Sequence, residues 1–179
     1  TVRAAGGYRR PMTTSRAQLQ TDLQLHVHGL PLGSAPLMVF LHGLTDSGAG
    51  WPEAVRHWAP RFTILAPDQR GHGESPRFTS EELAGHPGEL MVNDVIALLE
   101  QLPMPAVVIG HSLGGAVGLT AAVRRPDLFR AVVLEDPAPR APDEPQRAPE
   151  RHHGQRLERR VKCQTTQHQH LLREFVRSI

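Results

Sequence analysis

The residues best placed to do chemistry form the run Gly110-His111-Ser112-Leu113-Gly114. The serine sits in the pattern G-x-S-x-G, where a short apolar run, Val107-Val108-Ile109, gives way to a helical pattern. A strand that turns this sharply into a helix holds the serine in a strained backbone conformation. Glycines two before and two after keep side chains from colliding with the turn. The hydroxyl then stands clear of the backbone at a helix N-terminus, where developing negative charge is favoured. Such a serine is a nucleophile, and it needs help: a base to take its proton, and an acid to hold that base in the right tautomer.

The elements that must position Ser112 can be read on either side of it. From Gln18 to His28 apolar and polar residues alternate, with Leu19, Leu23, Leu25 and Val27 against Gln20, Asp22, Gln24, His26 and His28. Period two predicts a half-buried strand or hairpin. His26 and His28 would share a face; they are read as the solvated side of an edge strand in preference to a metal pair. Leu37 to Leu41 is a continuous apolar run, as expected of a strand covered on both faces. Trp51 to Trp58 reads as a short helix with Pro52 in its first turn, and Phe62 to Ala66 as the next strand. Gly88 to Leu102 places Met91, Val92, Val95, Leu98, Leu99 and Leu102 at helical spacing. The helix after Ser112, Leu113 to Arg125, is rich in Gly and Ala and can lie close to a sheet; Pro126 ends it. Ala131 to Glu135 is a further buried strand. Strands alternating with helices predict an α/β fold, a parallel sheet with helices on both faces. Functional residues in such sheets gather beyond the carboxyl ends of the strands, where His42, Asp68, Ser112 and Asp136 all fall.

Composition bounds the function classes. A chain of 179 residues with 39% apolar and 21% charged residues reads as one soluble globular domain. No apolar run reaches transmembrane length, and the first 16 residues, irregular and with four arginines, hold no apolar core of a signal peptide. The single Cys163 has no disulfide or metal partner, which fits a reducing cytoplasm. The net charge of +2 divides into +3 over residues 141–179 and −1 over residues 1–140. Acids are interspersed through the basic tail, so it is read as solvated and neither a nucleic acid nor a membrane is expected as partner.

Three signatures occur in order: His42-Gly43-Leu44, then Asp68-Gln69-Arg70-Gly71-His72-Gly73-Glu74-Ser75, then Gly110-His111-Ser112-Leu113-Gly114-Gly115. With them the chain resembles the α/β-hydrolases, in the group of small esterases and related cofactor-free enzymes, from about Leu19 to Pro139. The resemblance implies a nucleophile at Ser112 and an oxyanion hole made by the backbone N–H groups of Leu44 and Leu113. It implies a small-molecule ester or acyl substrate and no metal or organic cofactor. His42 and His72 invite assignment as bases, but the family's matching residues mainly brace loops. Gly43, Arg70, Gly71, Gly73, Gly110 and Gly114 complete the structural motifs. Asp68 is a poor triad acid, since its strand lies on the wrong side of the nucleophile strand in the family's order; fixing the Arg-Gly-His-Gly turn is the better role. His111 is the variable residue of the elbow and is placed to touch the pocket.

The family's order continues with an acid and then a histidine. Strands are legible only through Ala131–Glu135, the family's sixth. Asp136 at its end is the candidate acid, or a residue that shapes the loop. The expectation is therefore a partial core over residues 17–140, cut before the last two strands, followed by a helical lid-like or divergent tail over 141–179. In that tail Leu171, Leu172, Phe175, Val176 and Ile179 share a helical face, and His152, His153, His168 and His170 are its histidines. One of them serving as base would be unusual, and solvated helix residues are the default. The chain is read as a fragment of a longer hydrolase in preference to a shortened protein. Alternatives are carbon–carbon bond hydrolysis or elimination, as a lyase, by the same serine machinery, and a non-catalytic binding role on this scaffold. Epoxide hydrolase and dehalogenase chemistry is disfavoured, because those relatives use a carboxylate where Ser112 stands.

Overall fold

A computed structural model describes residues 19–137. Five strands form one sheet: β1 (Leu25–Gly29), β2 (Leu37–Leu41), β3 (Thr63–Pro67), β4 (Ala106–His111) and β5 (Phe129–Glu135). Their spatial order is β1-β3-β2-β4-β5, with β1 antiparallel to β3 and every other neighbouring pair parallel. The sheet is mostly parallel and flanked by helices on both faces.

The continuous apolar strands are explained by two cores, one on each face. All five residues of β2 and of β3 are buried. Leu37, Val39, Leu41, Leu65 and Val108 pack against Met91, Val95 and Leu99 of α3 (Pro87–Glu100) and Val117 and Ala121 of α4 (Leu113–Arg124). The alternate residues Met38, Phe40, Ile64, Ala66, Val107 and Ile109 pack with Trp58 and Phe62 on the opposite face, under α1 (Pro52–Trp58). Each fully buried side chain of this size contributes roughly 1.5–3 kcal/mol. A polar residue anywhere along β2 would therefore strike one core or the other.

Two sequence expectations change. The strand expected over Gln18–His28 begins only at Leu25. At Gln24 the ladder with β3 is interrupted: its C=O still accepts from Asp68 N–H at 2.9 Å, but its N–H donates to Ser75 Oγ at 2.9 Å, and that hydroxyl in turn donates to Asp68 C=O at 2.6 Å. The alternation marks a buried face at Leu23 and Leu25, 6% and 4% exposed, and ceases to at Val27, which is 36% exposed on this edge strand. The second change is an added helix, α2 (Ser80–Ala84), which buries none of its residues. It is held by a capping box, with Glu82 N–H donating to Thr79 Oγ1 at 3.2 Å and Thr79 N–H to Glu82 Oε2 at 2.7 Å. The tail over 141–179, with its four histidines and Cys163, lies outside the described residues, as do residues 1–18.

From β2 the chain passes through α1 to β3 on one side; from β3 it crosses through α2 and α3 to β4 on the other side of β2. The connections leaving the carboxyl ends of β2 and β4 therefore diverge. A crevice opens at such a switch point, and ligands of open α/β sheets bind there.

Candidate active site

Ser112 stands at that crevice, between the end of β4 and the start of α4. Its φ of 49° and ψ of −112° lie in a region that side chains with a β-carbon rarely adopt. Backbone hydrogen bonds hold it there. Ser112 N–H donates to Glu135 C=O at 2.9 Å, Ser112 C=O accepts from Ala116 N–H at 3.1 Å, and Gly114 N–H donates to His42 C=O at 3.1 Å. The elbow is thus tied to the ends of both flanking strands. Its glycines are there for space: a Cβ on Gly114 would overlap the carbonyl oxygens of Leu41 and His42, and one on Gly110 would overlap the backbone of Gly114. The serine side chain does not cap α4, and no described residue hydrogen-bonds its hydroxyl. The N–H of Leu113 occupies the first helical position, where it has no intrahelical partner.

The loop after β2 is organised by a buried histidine. His42 is fully buried, and its Nε2 accepts from the backbone N–H of Gln69 at 2.9 Å. A backbone N–H can only donate, so the ring proton resides on Nδ1, which donates to Gly43 C=O at 2.8 Å. Burial pushes the His42 pKa down, against the bond to Gly43, and the neighbouring His72 lowers it further. The ring is neutral and both its nitrogens are occupied. Gln69 also donates from Nε2 to His42 C=O at 2.6 Å, so that carbonyl joins the loops after β2 and β3 to the elbow. The amide oxygen of Gln69 is buried without a partner. Gly43 lies against the elbow: a Cβ there would come within 2.8 Å of His111 Nδ1 and 3.6 Å of Ser112 Cβ. The side chain of Leu44 is 67% exposed.

The loop after β3 is a rigid turn built on Asp68. Its carboxylate accepts from Gly48 N–H at 2.7 Å, from Glu74 N–H at 2.9 Å and from His26 Nε2 at 3.0 Å. Burial opposes the charge, but these three donors outweigh it and hold the pKa below the usual carboxylate value. Arg70 makes a two-pronged pair with Asp94 of α3, at 2.7 and 2.9 Å. Gly71 and Gly73 take positive φ within the turn. His72 places Nε2 2.8 Å from Leu44 C=O and Nδ1 3.1 Å from Arg70 C=O. Its ring stands edge-on to His42 at 5.0 Å.

The sequence therefore brings Ser112, Leu113, His42, Gly43 and His111 together at the end of the sheet. Asp136 follows Glu135, whose carbonyl accepts from Ser112 N–H, and takes a φ of 42°. It is exposed and reaches no described partner. Two contacts were not legible beforehand. His26, expected to be solvated, binds Asp68 across 42 residues of sequence, and Gln69 binds His42 across 27. Neither separation leaves a periodic signal. Among the described residues no group of three or more His, Cys, Asp or Glu could hold a metal ion, and no helix is long and apolar enough to cross a membrane.

Comparison with known proteins agrees with this architecture. A family model described as alpha/beta hydrolase fold matches residues 36–174. The chain is 40% identical over 118 residues to lipase LipV of Mycobacterium tuberculosis, covering 65% of this chain and 42% of that protein. It is 39% identical over 108 residues to 2-(acetamidomethylene)succinate hydrolase of Mesorhizobium japonicum, covering 60% of this chain and 37% of that protein. A crystal structure of E-2-(acetamidomethylene)succinate hydrolase superposes with a TM-score of 0.57 at 36% identity, covering 66% of this chain and 44% of the other. The chain thus spans about two fifths of the length of these relatives. With sheet order, strand-end loops and elbow all in agreement, the chain belongs to the alpha/beta-hydrolase fold family.

Proposed function

We propose that this chain carries the nucleophile and the oxyanion donors of a serine hydrolase acting on a small carboxylic ester or related acyl compound. Ser112 Oγ attacks the acyl carbonyl carbon as its proton passes to the base, and the leaving group departs with that proton as the tetrahedral intermediate collapses to an acyl-enzyme. The N–H groups of Leu44 and Leu113 receive the developing oxyanion, a role in which each donor is worth roughly 3 kcal/mol in the transition state. Water then attacks the acyl-serine and releases the acid. The observation that carries this reading is the strained φ of 49° at Ser112, at the topological switch point and braced from both neighbouring strands. Strain of this kind costs of order 1–3 kcal/mol and persists where the surroundings enforce it. The names of two relatives, a lipase and a 2-(acetamidomethylene)succinate hydrolase, support hydrolysis, and the lipase supports an ester substrate.

Asp136 is the acid of this reading, one residue beyond the carbonyl that holds Ser112. Neither His42 nor His72 is the base of this reading: His42 has both nitrogens bonded to the main chain and His72 has both facing carbonyls, and the family's chain order puts the base after the acid, beyond residue 137. The open hydroxyl of Ser112 favours one second reading, a scaffold that binds an acyl ligand without turning it over.

Stopped-flow recording of p-nitrophenol release from p-nitrophenyl butyrate, beside Ser112→Ala, tests both. Steady turnover lost in the variant places a working base within the 179 residues. One burst without turnover, also lost in the variant, means that acylation proceeds and deacylation lacks its base. Release that does not depend on Ser112 refutes the catalytic reading and leaves the binding one.

A further inference from the structure

We propose that His72 is a positioning residue for the Leu44 amide; this rests on the reading of that amide as an oxyanion donor. Two successive peptide planes set the direction of that amide. Gly43 C=O and Leu44 N–H belong to one rigid trans plane and point in opposite directions. Fixing that carbonyl therefore aims the Leu44 N–H. Gly43 C=O accepts from His42 Nδ1–H at 2.8 Å and from Asp46 N–H at 3.2 Å. The next plane contains Leu44 C=O, 2.8 Å from His72 Nε2; the ring proton is assigned to that nitrogen, the nearer of the two to a carbonyl, since Nδ1 stands 3.1 Å from Arg70 C=O. Only φ and ψ of Leu44 join the two planes, so holding both leaves the residue little freedom. Packing cannot do this work, because the Leu44 side chain is 67% exposed. Hydrogen bonding decides the geometry.

His72 is itself well held. Its turn is anchored by the paired bonds from Arg70 to Asp94, by His72 N–H to Gln69 C=O at 2.9 Å and by Ser75 N–H to His72 C=O at 3.1 Å. The ring thus carries the rigidity of the loop after β3 across to the loop after β2, 28 residues away in sequence. His42 grips the near plane from the buried side and His72 grips the far plane from the half-exposed side.

The test uses the 179-residue chain and three variants, His72→Leu, His72→Gln and His72→Asn. Glutamine presents an amide N–H near the position of Nε2; asparagine is too short to reach. The readouts are the rate constant and KM of the Ser112-dependent burst with p-nitrophenyl butyrate, and amide hydrogen exchange at Asp46, whose N–H closes the same loop. The rate constant should fall about tenfold in His72→Leu and His72→Asn, the equivalent of about 1.4 kcal/mol, with KM within about twofold and His72→Gln within about threefold of the parent. Exchange at Asp46 should quicken in the first two and not in the third. An unchanged rate constant in His72→Leu, or an equal loss in His72→Gln, overturns the proposal. If His72→Leu does not fold, the Gln and Asn variants decide in the same way. If the parent chain shows steady Ser112-dependent turnover in place of a burst, the same comparison is made on kcat and KM; if it shows no Ser112-dependent release, the functional reading has failed, and Asp46 exchange alone decides whether His72 holds the loop: equal exchange in the Leu, Asn and Gln variants rejects it.

Discussion

Replacing His42 with leucine should uncouple the loops around the site at a cost that can be worked out bond by bond. The side chains are of similar bulk, so packing changes little. The lost Nε2 acceptor leaves the backbone N–H of Gln69, a residue 1% exposed, without a partner. An orphaned buried donor costs about 1–3 kcal/mol. The lost Nδ1–H bond adds about 1 kcal/mol, since Gly43 C=O still accepts from Asp46 N–H. The sum, roughly 2–4 kcal/mol, is a large part of the 5–15 kcal/mol typical of a domain. Urea unfolding followed by the fluorescence of Trp51 and Trp58 would register it as a midpoint lower by about 1–2.5 M, at a slope of roughly 1.5–2 kcal/mol/M. The pH dependence sharpens the test. Because burial lowers the His42 pKa in the folded chain, the unfolded chain binds the proton first as pH falls. The stabilisation is fully present above the unfolded value of about 6.5 and declines as pH drops from there toward the folded value. His42→Leu has no such decline, so the gap between the two proteins should narrow from pH 8 to pH 5. His28, also lowered by burial and by His26, contributes to both proteins and cancels. A midpoint difference below about 0.5 M at pH 8, or a gap that widens on acidification, would refute the account of His42 as a neutral, doubly bonded brace.

Three further substitutions follow from the same geometry. Gly114→Ala should cost more than about 3 kcal/mol or prevent folding, because the obstacle is backbone; Gly88→Ala, with open space around its new methyl, should instead be neutral or stabilising by up to about 1 kcal/mol. Urea midpoints of the pair check it. Arg70→Ala should lose about 1–2 kcal/mol, discounted for a pair that is about one fifth exposed, and a double-mutant cycle with Asp94→Ala should recover most of that as coupling energy. Asp68→Asn places an amide against two N–H donors and should cost roughly 2–4 kcal/mol at pH 7. Asp68 stabilises the fold above its unfolded pKa of about 3.9 and ceases to as pH falls through its lower folded value, so acid-unfolding curves of the variant should be flatter below pH 4.

The parts of the fold that were legible in the sequence are those where one physical demand falls on consecutive residues. Leu37–Leu41 must be apolar at every position because two cores meet it, and it reads that way. The glycines at 110 and 114 are spaced by the backbone approach at the elbow, so the motif reports its own geometry. The N-terminal alternation found the buried Leu23 and Leu25 but not the start of β1, because an edge strand is delimited by hydrogen-bond partners: the Ser75 hydroxyl takes the Gln24 N–H and interrupts the ladder where the apolar pattern runs on. Helix α2 left no apolar stripe because it buries nothing, and only Thr79 and Glu82 signalled it. At the site, Ser112 announced itself, whereas the tautomer of His42 depends on a backbone N–H 27 residues away.

Ser112 and Asp136 are the only non-glycine residues with positive φ among those described, and they stand one residue past adjacent, parallel-paired strand ends. The bond from Ser112 N–H to Glu135 C=O links the two positions directly. Strain of about 1–3 kcal/mol at the serine is opposed by that bond, by Gly114 N–H to His42 C=O and by Ala116 N–H to Ser112 C=O, each worth about 1 kcal/mol, and by the burial of Val117 and Ala121 of α4 against the sheet. The hydrogen-bond partners lie between residues 42 and 135, and the packing reaches back to Leu37, Val39 and Leu41 of β2. Among the described residues the elbow already has this bracing, and a base arriving from elsewhere would meet a serine held by it. If so, removing a brace such as the His42 carbonyl's partner Gln69, by Gln69→Ala, should lower the Ser112 burst rate constant more than it raises KM. A rise in KM with an unchanged rate constant would mean that the loops bind substrate without shaping the reacting atoms.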